Sequence, residues 1–407
     1  MAIVLEHHPA ERRSLRIAVV TETWPPEVNG VATTAARFVG GLTARNHDVQ
    51  LLRPRQPHEA GTVPVRPDEV LLAGLPIPRY PGLRMGLPAK RALVRLWTLR
   101  RPDLVHVVTE GPLGWSALEA ARSLRLPVCS DFRTNFHAYS GHYGIGWLRK
   151  PIAAYLRKFH NRCDLTLVPT AALRDELAAA GFHGLEVVAR GVDTSLFDPA
   201  RRSPALRARW GADEETPVVL HVGRLAPEKN LDALACAFEA LAVAAPRARI
   251  VVVGDGPARE ALQARARGAV FAGVQSGLPL AEHYASADLF LFPSLTETFG
   301  NVWLEAMASG LAVVAFDRAA AAELIDEGRN GWRVPGDSAT VFATRAAAAA
   351  SDLATVRAVG RAARAAALVR CWDRIVARVE AQYGRLLSER DARLPLNASP
   401  RAQVEAT

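Results

Sequence analysis

What most constrains this chain is a pattern repeated along its length, in which short, nearly continuous apolar runs are followed by helical periodicity. In the first half the runs fall at 15–21, 48–53, 104–108, 128–132, 165–168 and 185–189, with helical patterns near 30–45, 88–100, 113–125, 149–162 and 171–180. In the second half they fall at 218–222, 248–254, 270–272, 289–292 and 312–315, with helices near 229–244, 257–267, 280–286, 301–309 and 319–326. Runs of this kind do not alternate apolar with polar residues. They fit strands covered on both faces, so the pattern predicts an α/β protein with parallel sheets. Residues 191–217 break the pattern with turn formers and charge and read as a linker. The stretch after Ser338 reads as Ala-rich helices. The last helix, near 372–390, carries Trp372, Ile375, Val376, Val379, Tyr383, Leu386 and Leu387 at helical spacing.

Length and composition narrow the function classes. The chain has 407 residues, 49% of them hydrophobic, which is enough for two or three cored domains and excludes global disorder. No apolar stretch is long enough for a membrane-spanning helix, and the start lacks the apolar core of a signal peptide. Residues 1–14 and 393–407 read as flexible tails. The four cysteines are far apart and show neither metal nor redox spacing, which points to buried thiols in a reducing compartment. The net charge is +9, concentrated in the first half. Residues 70–102 and 132–163 hold thirteen cations and no acid. This fits an anionic partner: nucleic acid, a membrane surface or a phosphorylated substrate.

Several strand ends carry chemistry. Gly30 opens a helix after TETWPPEVN, where backbone N–H groups can meet a phosphate. Arg224 and Lys229, in GRLAPEKN, offer a planar fork and a point charge for phosphate oxygens. Lys229 is the only lysine after residue 158. Asp255 and Gly256, in GDGP, form a second glycine turn, with Asp255 placed to cap the following helix. It is not a full dinucleotide fingerprint. In TETFGNVWLE, Glu297 and Glu305 lie eight residues apart around a helix start at Phe299, Gly300 and Asn301. Paired carboxylates there suit a ligand rich in hydroxyls. His137 and His142 follow a strand at its carboxyl edge, where α/β sheets bind ligands. Taken singly, each signal also fits a plain strand–helix turn or a solvated charge. No group of residues has metal-ligand spacing.

In order, GRLAPEKN, GDGP, ETFGNVWLE, EAMASGLAVVAFD and ELIDEGRNGW resemble glycosyltransferase family 4, retaining enzymes of the GT-B fold. RIAVVTETWPPEVNGVA and RTNFHAYSGHYG are closest to its GDP-mannose-dependent α-mannosyltransferases. The resemblance covers about residues 15–390. One departure is FDRAAAAEL, where many members have Gly-Gly-Pro, and it bears on the identity of the sugar.

The resemblance implies two Rossmann-like domains with a deep interdomain cleft. Residues 15–198 would bind the acceptor and 199–371 the nucleotide sugar, with a helix at 372–392 returning to the first domain. It further implies that Arg224 and Lys229 neutralise the donor diphosphate and that Glu305 holds the ribose. Glu297 would touch the transferred sugar beside Phe299, Gly300 and Asn301, with Asp255 and Gly256 also on the donor side. Gly30 would approach the diphosphate, and His137 would lie near the reacting carbon. Asn135, Tyr139 and His142 are acceptor-side candidates. Neither cofactor nor metal is expected. The implied activity moves mannose from GDP-mannose to a lipid or glycolipid. The alternatives are UDP-glucose or UDP-sulfoquinovose with a diacylglycerol-type acceptor, a non-catalytic nucleotide binder, or a twin-Rossmann dehydrogenase. The basic stretches lack a nucleic-acid recognition motif. With Leu93, Leu96, Trp97 and Leu99 in one and Ile152, Tyr155, Leu156 and Phe159 in the other, they read as amphipathic helices for an anionic membrane. The expected place is the cytoplasm, at the inner face of the cell membrane.

Overall fold

The computed structural model describes residues 14–27, 29–56, 59, 68–77, 80–133, 149–295 and 299–393. These form two compact units. The first draws on the described residues within 1–131, 158–166 and 379–407, and the second on those within 132–157 and 167–378.

Fifteen strands are described: β1 (Arg16–Val20), β2 (Asp48–Pro54), β3 (Glu69–Leu72), β4 (Gly74–Ile77), β5 (Tyr80–Gly86), β6 (Leu104–Val107), β7 (Val128–Asp131), β8 (Leu165–Val168), β9 (Leu185–Val187), β10 (Val218–Val222), β11 (Arg249–Val253), β12 (Val270–Gly273), β13 (Leu289–Phe292), β14 (Ala312–Phe316) and β15 (Trp332–Val334). One seven-stranded sheet has the order β3-β2-β1-β6-β7-β8-β9, and one six-stranded sheet has the order β12-β11-β10-β13-β14-β15. The pairings around β1 and throughout the second sheet are parallel. In each sheet the chain winds outward from a central strand and then restarts on its other side. The switch points lie at β1/β6 and β10/β13, and the sequence-predicted donor loops follow β1, β10 and β13.

The central strands are buried because both faces are covered. In the second unit one face packs Val218, Leu220 and Val222 with Phe290, Trp303 and Leu304. The other packs Val219, Leu289 and Leu291 with Leu234, Phe238 and Phe342.

The strands β3, β4, β5 and β15 were not expected from the sequence. The hairpin β4–β5 holds three glycines and three prolines, which mask any strand pattern. The segment read as a linker differs more. Phe197, Leu206, Trp210 and Ala212 belong to the core of the second unit, and a helix runs over Pro204–Arg209. Its charge is partly internal: Arg207, 1% exposed, binds the Asp288 carboxylate at 3.1 Å and the Ser286 and Thr216 carbonyls at 2.7 Å each. At the tails, Ser14 is engaged, its hydroxyl donating to the Asn46 carbonyl at 2.7 Å. The last helix runs Trp372–Arg393. The cysteines are free as expected, but Cys129 alone of the four is fully buried.

The basic stretches fold inward more than their pattern implied. In helix Lys90–Leu99, Leu93 and Trp97 are core residues, and Trp97 donates to Gln50 at 3.3 Å. In helix Arg149–His160, Leu156 and Phe159 are buried. The outward faces keep Lys90, Arg91, Arg95 and exposed Leu99 on the first helix, and Lys150, Arg157, Lys158 and half-exposed Tyr155 on the second.

Asp288→Ala strips Arg207 of its buried carboxylate and the Val218 amide of its acceptor. The expected cost is about 3–5 kcal/mol, against at most about 1 kcal/mol for Arg265→Ala, whose partners are exposed. Denaturation midpoints of the two intact variants measure this difference.

Candidate functional site

The second unit builds its site where β10 and β13 part. Their ladder registers Val219 with Leu289 and Leu220 with Phe290. Beyond it, side chains reach across. Nδ1 of His221 donates to the Leu291 carbonyl at 3.0 Å, and Nδ2 of Asn230 donates to the Pro293 carbonyl at 3.0 Å. A carbonyl can only accept, so Nδ1 of His221 carries the proton. Burial, with Lys229 adding to it, pushes the His221 pKa down to about 4, so the ring is neutral at physiological pH.

The loop after β10 holds two of the predicted phosphate ligands. The Arg224 guanidinium, about half exposed, is held by the carboxylate of Glu228, which is buried. Lys229 closes a 3-10 turn over Pro227–Lys229 and precedes the helix Leu231–Ala244, where the sequence had placed it at the helix start. Asn230, at φ 54°, makes the left-handed corner between them.

Backbone packs on backbone beside this loop. The Leu225 amide donates to the Asp255 carbonyl at 2.9 Å, and the Ala258 amide to the Leu225 carbonyl at 2.9 Å. A Cβ on Gly254, at φ 132°, would lie 1.9 Å from the Gly223 carbonyl oxygen, so glycine is obligatory there. Gly256 approaches Leu225 in the same way. The helix after GDGP begins at Arg259 rather than near 257, and its N-cap, Ala258, receives no side-chain bond. Asp255 therefore does not cap it. Its carboxylate accepts from the Gly256 amide at 2.8 Å and pairs with Arg259 at 3.1 Å.

After β13 the chain enters helix Asn301–Ala308 through Gly300, at φ 77°. A Cβ there would lie 2.7 Å from the Phe292 ring. Phe299 is buried and accepts from Nε1 of Trp303 at 2.7 Å. Arg190, itself buried, donates to the Asn301 side chain at 3.2 Å. Glu305 lies one helical turn inside, partly buried, and its Oε2 accepts from the Tyr284 hydroxyl at 3.2 Å. Burial pushes this carboxyl up to about 7, against the smaller opposing effect of the tyrosine bond. It is thus about half ionised at neutral pH, where the sequence had implied an ordinary carboxylate.

In the first unit Gly30 opens helix Gly30–Ala44 after β1, as expected. The Asn29 side chain accepts from the Val31 and Ala32 amides at 3.1 and 2.8 Å and so takes two of the helix's first N–H groups. Thr23, Glu27 and Gln56 hold that loop through further hydrogen bonds. Glu297, His137, Asn135, Tyr139 and His142 lie outside the described residues. The structure therefore brings Arg224, Lys229, Phe299, Gly300 and Asn301 to the two loops of one switch point, with Glu305 just inside and Asp255 and Gly256 on the adjoining turn. Sequence reading missed Glu228, Asn230, Arg190 and Tyr284, which hold these groups. The spacing of Arg224 and Glu228, four apart, was the only local signal for any of them.

Another arrangement has the connectivity of a hydrolase triad. Ser130 Oγ lies 3.0 Å from His160 Nδ1, and His160 Nε2 lies 3.2 Å from Glu110. Ser130 and His160 are fully enclosed, and the hydroxyl also meets Thr166 at 2.9 Å, so this is a buried brace. Cys163 is no nucleophile either, since burial pushes its thiol up to about 12.

Residues 28–196 match the model of Glycosyltransferase Family 4, and residues 216–352 that of the Glycosyl transferases group 1. A GDP-mannose-dependent alpha-mannosyltransferase of Mycobacterium tuberculosis is 35% identical over 91% of this chain and 98% of its own. The chain belongs to glycosyltransferase family 4. A sulfoquinovosyl transferase of Arabidopsis thaliana is 36% identical over 71% of this chain and 58% of its own. Among solved structures, sucrose-phosphate synthase from Thermosynechococcus elongatus superposes with TM-score 0.74 at 19% identity, over 93% of this chain and all of that one. That likeness confirms the expected fold, GT-B, in two parallel-sheet α/β units.

The raised Glu305 carboxyl has a stability signature. Its folded pKa of about 7 exceeds the unfolded 4.5, so ionising it in the folded state subtracts stability as pH rises from 4.5 through 7. Glu305→Gln removes that cost. The ligand-free variant is expected to gain at most about 3 kcal/mol at pH 8 and nothing at pH 4.5. Unfolding midpoints at pH 5 and 8 test it; equal differences from the parent at both would refute it.

Proposed function

We propose that this glycosyltransferase is a retaining α-mannosyltransferase, working without bound metal, that moves mannose from GDP-mannose to a lipid or glycolipid acceptor. The observation that carries the donor assignment is the 35% identity to a GDP-mannose-dependent alpha-mannosyltransferase over nearly all of both chains. Placement of Arg224, Lys229 and Glu305 around the β10/β13 switch point supports the donor side.

In this reading Arg224, steadied by Glu228, and Lys229 bind the diphosphate oxygens. Glu305 accepts from the ribose hydroxyls, and the amides at Gly300 and Asn301 face the sugar with Glu297. The bond between the sugar's anomeric carbon and the diphosphate oxygen breaks, leaving oxocarbenium character on the sugar and negative charge on the departing phosphate. Fixed cations lower the energy of that charge without reorganising. The acceptor hydroxyl attacks from the same face, its proton passes to the departing phosphate oxygen, and the products are GDP and the α-mannosylated acceptor. His137 attends the reacting carbon, with Asn135, Tyr139 and His142 on the acceptor side.

The outward cations of helices Lys90–Leu99 and Arg149–His160 support a peripheral position on an anionic membrane at the inner face of the cell membrane. With Leu93, Trp97, Leu156 and Phe159 turned inward, that attraction is mainly electrostatic.

Thermal stabilisation by GDP-mannose but not by UDP-glucose, together with mannosyl transfer to a lipid extract, is the expected result. Stabilisation by UDP-glucose alone would overturn the mannose assignment. Lys229→Ala should keep the fold and lose about 100-fold or more in turnover. Binding to anionic vesicles should weaken as salt rises, while neutral vesicles bind little. Equal binding to both would refute the electrostatic docking.

A further inference from the structure

Tyr284 lies on helix Gly277–Ala285, outside both loops of the site, and none of its surface is exposed. Its ring packs edge-on against Phe197 at 5.5 Å and tilted against Phe290 at 5.7 Å. A phenol so deep in an apolar cluster costs free energy unless its hydroxyl finds a partner. That partner is Oε2 of Glu305, 3.2 Å away. The other oxygen, Oε1, makes no hydrogen bond among the described residues. One side of the carboxyl is thus tied to the core, and the other remains as an acceptor.

We infer that Tyr284 is a positioning residue for the donor site, fixing one oxygen of Glu305 so that the other accepts from a vicinal diol of the donor's nucleoside. The inference rests on Glu305 facing that nucleoside. A carboxylate on a rotatable helical side chain samples several rotamers, and the tyrosine bond selects one. Tyr284 itself is held by Phe197 and Phe290, so the selection is built into the core. The bond also favours the ionised carboxyl, the better acceptor for a diol, against the burial that disfavours it. Among the described residues, no other titratable side chain acts on Glu305. Arg364, the cation on the neighbouring helix Leu353–Leu368, is engaged by Asp198 and the Ala308 carbonyl.

The test uses GDP as the probe, with the whole chain. Tyr284→Phe keeps the ring packing and removes the hydroxyl. GDP binding is expected to weaken about five- to tenfold at pH 7, as for the net loss of one ordinary hydrogen bond, and less at pH 8.5. The pH midpoint of binding should move upward. In a Glu305→Gln background, Tyr284→Phe should have no further effect, whereas a merely structural tyrosine would weaken both backgrounds equally. If Glu305→Gln binds GDP like the parent, Glu305 does not face the nucleoside. If Glu305→Gln weakens binding but Tyr284→Phe leaves affinity and midpoint unchanged, the positioning role is overturned and the site stands. Should Tyr284→Phe fail to fold, 3-fluorotyrosine at position 284 keeps shape and hydroxyl while making a stronger donor. The midpoint should then move down, and an unmoved midpoint overturns the role.

Discussion

The second unit depends on one divergence: β10 and β13 run side by side and then part. Where they part, backbone carbonyls lose their ladder partners, and buried carbonyls must be satisfied. His221 and Asn230 meet two of them. The residues that close the gap also fix the loops leaving it. Asn230 turns the chain just after Lys229, and the His221 strand leads into Gly223 and Arg224. Gly254 and Gly256 then let a second loop lie flat against the first. The cations stand where they do because the sheet must end there.

Much of this could be read in advance. Buried parallel strands are continuous apolar runs, so the central strands of both sheets stood out. The edge of the first sheet and the β4–β5 hairpin did not, since residues such as Glu69, Pro76 and Gly86 answer to pairing and turns rather than burial. The stretch at 191–217 misled for a different reason. Its arginines look solvated in one dimension, but Arg207 finds a buried carboxylate at Asp288, eighty-one positions away. The site was legible where the chemistry itself is polar, at Arg224, Lys229, Asn301 and Glu305. Its supports were not: Tyr284 looks like any core aromatic until Glu305 is seen beside it, and Arg190 like any surface charge until it meets Asn301.

The electrostatics of the second unit hold the side chains of the candidate site in place. Glu228 orients a guanidinium by occupying part of its charge, and Glu305 is held close to its titration point by opposed influences. In the proposed function both arrangements lower the reorganisation needed when the nucleotide sugar binds, and the Glu305 arrangement costs stability while no ligand is bound.

The helix Trp372–Arg393 has a consequence in time. Tyr383 is fully buried and bonds to His106, which lies 277 positions earlier on β6 beside Asp131. Glu380 meets Arg45 and His47 in the same unit. A ribosome making this chain delivers every strand of both sheets before it delivers Tyr383. The first unit is therefore begun first, yet Nδ1 of His106 on β6 waits for its Tyr383 partner until every described strand of the second unit has been made. A polypeptide ending between residues 379 and 382 would carry every described residue of the second unit and still lack Tyr383.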